Sequence, residues 1–141
     1  MDLKLKGKTA LVTGGSEGIG KGIALALAKE GVDVAICARR KEPLEAAAAE
    51  IAKATGRKIV AIPADLRKDA DAKNFIESAH KALGRIDIMI NNAGSAAGGV
   101  IEHLTEDDWE RVCSSSSWAM CAACVTRCRS WSSRVAAASS I

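Results

Sequence analysis

An α/β fold built on a doubly wound parallel sheet is predicted by two features of the sequence. Short apolar runs alternate with longer segments whose apolar residues recur at helical spacing, and the alternation occurs four times. The first apolar run also ends in a glycine-rich turn, TGGSEGIG at 13–20. Strands joined by helical crossovers lie parallel in one sheet, with right-handed connections.

The first half of the chain supplies two strands and two helices. Thr9–Thr13 is a short apolar run before glycines, which is typical of a buried strand. Gly18–Glu30 has apolar residues at helical spacing and is followed by a glycine that can end a helix. Val32–Ala38 is the second predicted strand. Glu42–Thr55 is alanine-rich and predicts the second helix, because its only proline lies in the first turn.

The next elements repeat this order. Lys58–Ile62 predicts a third strand, and Asp69–Leu83 predicts a third helix that ends at Gly84. Ile86–Ile90 predicts a fourth strand. A further helix is expected to begin at Thr105, because an acidic residue three positions later resembles a capping box. The 141 residues are enough for one domain with one core.

Composition and charge exclude several classes of protein. The formal net charge is +3, from 20 basic and 17 acidic residues, and the excess lies in three tail arginines. Such a small excess does not favour a nucleic-acid partner. The N-terminal residues contain no long apolar run, so neither a signal peptide nor a membrane span is expected. We therefore expect a cytoplasmic protein, in which Cys37 is a reduced core thiol.

The glycine-rich turn is a candidate phosphate site. Glycines let the backbone turn tightly and approach a pyrophosphate, and the following helix presents free N–H groups and a positive dipole end. The spacing is G-x-x-x-G-x-G. An ordinary tight turn is the alternative interpretation of this segment taken alone.

Residues at the ends of the later strands extend this candidate site. Arg39 and Arg40 follow the second strand, where arginines can pair with the 2′-phosphate of NADP and an acid would favour NAD. We favour NADP; the alternative is that both arginines are solvated at a helix start. Asp65-Leu66 after the third strand is expected to contact adenine. Asn91–Gly94 after the fourth strand forms a small polar loop at the same sheet edge.

The joint pattern resembles the short-chain dehydrogenase/reductase family, with some similarity to 3-oxoacyl-carrier-protein reductases, over about residues 5–112. The resemblance implies a Rossmann-type fold, hydride transfer between NADP(H) and a small carbonyl or alcohol substrate, and a homodimer or homotetramer. It also implies a set of residues around the cofactor. The cofactor-binding residues would be Gly14, Ser16, Glu17, Gly18, Ile19, Gly20, Arg39, Arg40, Asp65, Leu66, Asn92, Ala93 and Gly94.

The catalytic residues of that family have no counterpart that can be assigned here. The family uses a serine and a Tyr-x-x-x-Lys pair, in which the tyrosine transfers the proton. This sequence contains no tyrosine, so no catalytic residue is assigned. The alternative to an active enzyme is therefore a nucleotide-binding chain without catalytic activity.

Residues 1–112 are expected to form the Rossmann dinucleotide-binding region. The tail from residue 113 has a different composition, CSSSSWAMCAACVTRC. We interpret 113–133 as an out-of-frame translation: in a shifted frame Trp118-Ala119 must encode glycine, where the family also has glycine. Residues 134–141, RVAAASSI, resemble the family's fifth strand. The alternative is a metal site formed by four tail cysteines, but one Cys-x-x-Cys pair without a second is a weak signal, and no metal ligands are assigned.

Overall fold

The computed structural model describes residues 3–94, which form a four-stranded parallel sheet and three helices. The strands, in chain order, are β1 (Thr9–Thr13), β2 (Asp33–Ala38), β3 (Ile59–Pro63) and β4 (Ile88–Ile90). The helices are α1 (Gly18–Lys29), α2 (Lys41–Thr55) and α3 (Asp69–Leu83). None of these helices combines the length and the apolar content that crossing a membrane requires.

The strand order in the sheet is β3-β2-β1-β4. Strands β2 and β3 lie in succession on one side of β1, and β4 lies on the other side of β1. In the register, Val12 lies opposite Ile36 on one side and Ile90 on the other. The reversal next to β1 creates a switch point, where ligands of open α/β sheets bind at the carboxyl ends of the strands.

The core is divided by the sheet into two apolar clusters, because successive strand side chains point to opposite faces. On one face, Val12 and Ile36 pack with buried residues of α1 and α2. On the other face, Leu11 and Cys37 pack with Phe75 of α3. Every residue of β1 is buried, which accounts for the apolar run in the sequence.

The predicted fold class is confirmed, and all seven predicted elements of this region are present with small changes at their ends. The largest change is in β4, which begins at Ile88 rather than Ile86. Asp87 N donates a hydrogen bond to Thr9 O, while the Asp87 carboxylate accepts one from Thr9 N at 2.9 Å. Asp87 is thus attached to the start of β1 through its side chain as well as its backbone.

Helices α2 and α3 both end at glycines in the left-handed conformation, Gly56 and Gly84, as expected for C-terminal caps. The helix predicted to begin at Thr105, the out-of-frame interpretation of 113–133, the possible fifth strand at 134–141 and the expected boundary at residue 112 all lie outside the described residues.

Candidate functional site

The glycine-rich turn joins the carboxyl end of β1 to the start of α1. Gly14 has a φ of +68°, and a Cβ placed on it would lie 3.1 Å from Asn92 Nδ2. A Cβ on Gly20 would overlap the carbonyl oxygen of Gly14 and lie 2.6 Å from Asn92 Nδ2. The turn can therefore pack against the loop after β4 only because these positions lack side chains.

No atom of the described residues covers the N-terminus of α1 on the side of the turn. Glu17 is the N-cap residue, but its side chain makes no capping hydrogen bond. The earliest helical bond runs from Lys21 N to Glu17 O at 3.4 Å, and the first N–H groups of a helix have no partner within it. No atom of residues 3–94 lies within 4 Å of a Cβ placed on Gly18. The exposed N–H groups, the helix dipole and the open space fit a phosphate group.

Thr13 connects the turn to the loop after β4. Its buried hydroxyl accepts hydrogen bonds from Asn92 N and Ala93 N, each at 2.9 Å, and donates to Ile90 O at 3.3 Å. Asn92 Nδ2 donates to Thr13 O at 3.1 Å. These bonds hold the ends of β1 and β4 together at the carboxyl edge.

Sequence reasoning did not assign a role to Thr13. The available signal was a hydroxyl residue at the last position of a buried apolar strand, where an unpaired polar group would be costly.

Asp65 and Leu66 follow β3 at the same sheet edge. Both carboxylate oxygens of Asp65 accept hydrogen bonds from Arg67, the shortest at 2.6 Å. The hydrogen bonds from Arg67 hold the pKa of the Asp65 carboxyl at about 2, and the charge of Arg39 acts in the same direction. Asp65 thus has an arginine partner that the sequence analysis did not anticipate, whereas Leu66 packs against the core face covered by α3.

Arg39 and Arg40 are both exposed at the carboxyl end of β2. Arg40 Nη2 lies 2.8 Å from Glu17 Oε1, so this guanidinium pairs with the acidic residue of the glycine-rich turn. Both side chains of the pair are largely exposed, at 68% for Arg40 and 63% for Glu17. Near them, Ile19 is an exposed apolar side chain on the first turn of α1.

The predicted cofactor-binding residues thus come from four successive strand ends at one edge of the sheet. The turn after β1 and the loop after β4 are in direct contact through Thr13, Gly14 and Asn92. The turn after β1 and the residues after β2 are linked by Glu17 and Arg40. Asp65 after β3 is close enough to Arg39 for the arginine charge to lower its pKa.

Cys37 is buried beneath this edge in β2. Burial raises the pKa of its thiol to about 12, so the group is protonated and unreactive at neutral pH. Within residues 3–94, no three His, Cys, Asp or Glu side chains come together in a group that could hold a metal ion. The four tail cysteines considered above lie outside this part of the chain.

Comparisons with known proteins agree with this arrangement. A family model described as short chain dehydrogenase matches residues 8–138. The hydroxynaphthalene reductase-like protein Arp2 of Metarhizium robertsii is 43% identical over 109 residues, which are 77% of this chain and 40% of that protein. The 3-oxoacyl-(acyl-carrier-protein) reductase FabG of Staphylococcus epidermidis is 41% identical over 106 residues, 74% of this chain and 43% of that protein.

A comparison with solved structures also finds a short chain dehydrogenase. A short chain dehydrogenase from Burkholderia cenocepacia, in complex with NADP, matches with a TM-score of 0.70 and 42% identity. The match covers 79% of this chain and 45% of that one. The chain therefore spans less than half the length of each of these three proteins.

Proposed function

The chain belongs to the short-chain dehydrogenase family, and from that membership we propose that its described residues form the NADP-binding part of an oxidoreductase. The whole protein would transfer a hydride between NADP(H) and a small carbonyl or alcohol substrate. The observation that carries the proposal is the contact between the glycine-rich turn and the loop after β4. There Thr13 and Asn92 hold an open helix N-terminus at the switch point of the sheet.

Each part of the edge has a separate task in this proposal. The N–H groups at the start of α1 would bind the pyrophosphate, and the glycines of the turn would allow its close approach. Arg39 and Arg40 would bind the 2′-phosphate, since a guanidinium pairs well with a phosphate dianion. Asn92, Ala93 and Gly94 would line the cofactor beside β4.

The remaining proposed contacts lie after β3. Asp65 and Leu66 would flank the adenine, and the Asp65 carboxylate would be shared with Arg67. When bound, NADPH would supply a hydride to a carbonyl carbon of the substrate. The chain's own residues at this sheet edge would bind and orient the cofactor.

Two facts favour NADP over NAD. Two exposed arginines follow β2, where an acid would serve the 2′-hydroxyl of NAD. The similar short chain dehydrogenase from Burkholderia cenocepacia was solved in complex with NADP.

Binding without catalysis is a second candidate function for this chain, and the amino-acid composition favours it. The family's proton donor is a tyrosine, and the 141 residues contain none. We therefore expect the chain as written to bind the cofactor without reducing a carbonyl. Full activity, a homodimeric or homotetrameric state and a cytoplasmic location stay predictions for the whole protein.

A titration of the 141-residue chain with NADPH and with NADH tests the proposal. We expect NADPH to bind more tightly, and the R39Q/R40Q double variant to lose most of that preference while NADH binding is little changed. The K73Q variant is the matched control, because Lys73 is an exposed cation on α3. Equal affinity of the wild-type chain for both cofactors would remove the NADP assignment, and no binding of either would remove the proposed function.

A further inference from the structure

We propose that Glu17 is a specificity-determining residue, whose carboxylate competes with the 2′-phosphate of the cofactor for Arg40. This inference rests on the proposed NADP-binding function and concerns how strongly the chain distinguishes NADP from NAD. Glu17 lowers that preference, because Arg40 must exchange one anionic partner for another when NADP binds.

The geometry places Glu17 between the two phosphate-binding parts of the site. As the N-cap residue of α1 it lies beside the proposed pyrophosphate position, where a carboxylate could accept hydrogen bonds from the helix N–H groups. Its side chain is instead directed to Arg40, with 2.8 Å between Oε1 and Nη2. The bond joins the glycine-rich turn to the end of β2, across 23 positions in the sequence.

Of the two arginines, Arg40 is the one that pairs with the Glu17 carboxylate. The structure gives Arg40 a carboxylate partner at hydrogen-bonding distance, whereas Arg39 influences Asp65 through its charge. A guanidinium that already forms a charge-assisted hydrogen bond must release it before it can form the same bond with a phosphate.

The exposure of the pair sets the size of the effect. Because both side chains are more than 60% exposed, at 68% and 63%, water and salt screen their attraction. Exposed ion pairs contribute little, and releasing one corresponds to roughly a twofold to fivefold change in an equilibrium constant. We therefore expect Glu17 to adjust the cofactor preference rather than to reverse it.

The experiment uses calorimetric titration of the 141-residue chain with two fragments of the cofactor. Adenosine 2′,5′-bisphosphate carries the 2′-phosphate, and adenosine 5′-monophosphate lacks it. The readout is the ratio of their dissociation constants. Any effect of Glu17 on the 5′-phosphate is common to both ligands and cancels in this ratio. In the E17Q variant we expect the preference for the bisphosphate to rise about twofold to fivefold.

A double-mutant cycle tests whether Glu17 acts through Arg40. In the R40Q background, E17Q should change the ratio much less than in the wild-type background. The E77Q variant removes an equal charge from an exposed pair on α3 and should leave the ratio unchanged.

An unchanged ratio in E17Q, or the same rise with and without Arg40, would overturn the role of Glu17 and leave the proposed function intact. Wild-type chain that binds neither fragment nor NADPH would overturn the proposed function and this inference together.

Discussion

Two glycines on the same helix give a matched test of how the turn and α1 are packed. Gly20 and Gly22 both lie in the first half of α1, and each can be changed to alanine. A Cβ on Gly20 would overlap the backbone oxygen of Gly14 and approach Asn92 Nδ2 to 2.6 Å. A Cβ on Gly22 would meet no atom of the described part of the chain within 4 Å. The same glycine-to-alanine substitution is therefore made once where the added methyl group clashes and once where it has space.

The two substitutions are expected to change the stability of the fold in opposite directions. Alanine is favoured over glycine inside a helix, so G22A should stabilise the fold by about 0.5–1 kcal/mol. G20A gains less from helix propensity, because it lies in the first turn. It loses about 1–3 kcal/mol through overpacking, since a backbone oxygen cannot move aside as a side chain can. We expect G20A to be less stable than G22A by about 1–4 kcal/mol.

Urea unfolding followed by far-ultraviolet circular dichroism measures this difference through the midpoint, provided that the slope is equal for both variants. NADPH titration of the folded variants completes the test: G20A should bind weakly, because the turn must move away from Asn92, whereas G22A should bind as the wild type does. Equal midpoints for the two variants would show that the turn is not closed against the loop after β4 in the way described.

Two further predictions concern the same sheet edge. The T13V variant should be destabilised by about 2–4 kcal/mol, as measured by urea unfolding. It leaves the N–H groups of Asn92 and Ala93 and the carbonyl of Ile90 without their hydroxyl partner. The T13S variant keeps the hydroxyl and should keep most of the stability. The folded pKa of Asp65, about 2, lies below its ordinary value of 3.8, so its pairing favours the folded state above about pH 4 and is lost as the pH falls through 2. R67Q should raise that pKa toward 3.8 in an NMR titration of the side-chain carboxyl, and an unchanged value would exclude Arg67 as the main cause.

The sequence predicted the fold of the described residues well because its signals are local. Alternating apolar runs define the strands, and Gly84 marks the end of the third helix, where the structure has it as the C-cap. The predicted start of β4 was wrong by two residues. Just before the observed start, the carboxylate of Asp87 accepts a hydrogen bond from the backbone of Thr9, 78 positions earlier in the chain. Such a contact has no signature in the neighbouring sequence.

The candidate site was predictable in its backbone and much less so in its side chains. Glycine at positions 14 and 20 indicates close approach, since few other residues would fit there. The pairing of Arg40 with Glu17, and of Asp65 with Arg67, could not be read from the sequence. Long exposed side chains have many rotamers, and their partners are chosen by small energies after the fold has formed.

The site thus has a buried part and an exposed part, and mutations in the two parts should have different effects. The part built on Thr13 is buried and hydrogen-bonded to backbone groups of two strand ends, so a change there should alter folding and nucleotide binding together. The part built on Glu17 and Arg40 is exposed and contributes little to stability, so a change there should alter ligand preference alone. The unfolding midpoint of E17Q should therefore equal that of the wild type, while its ratio of nucleotide affinities changes. An ion pair with those properties is free to vary without harm to the fold, which suits it to setting cofactor preference.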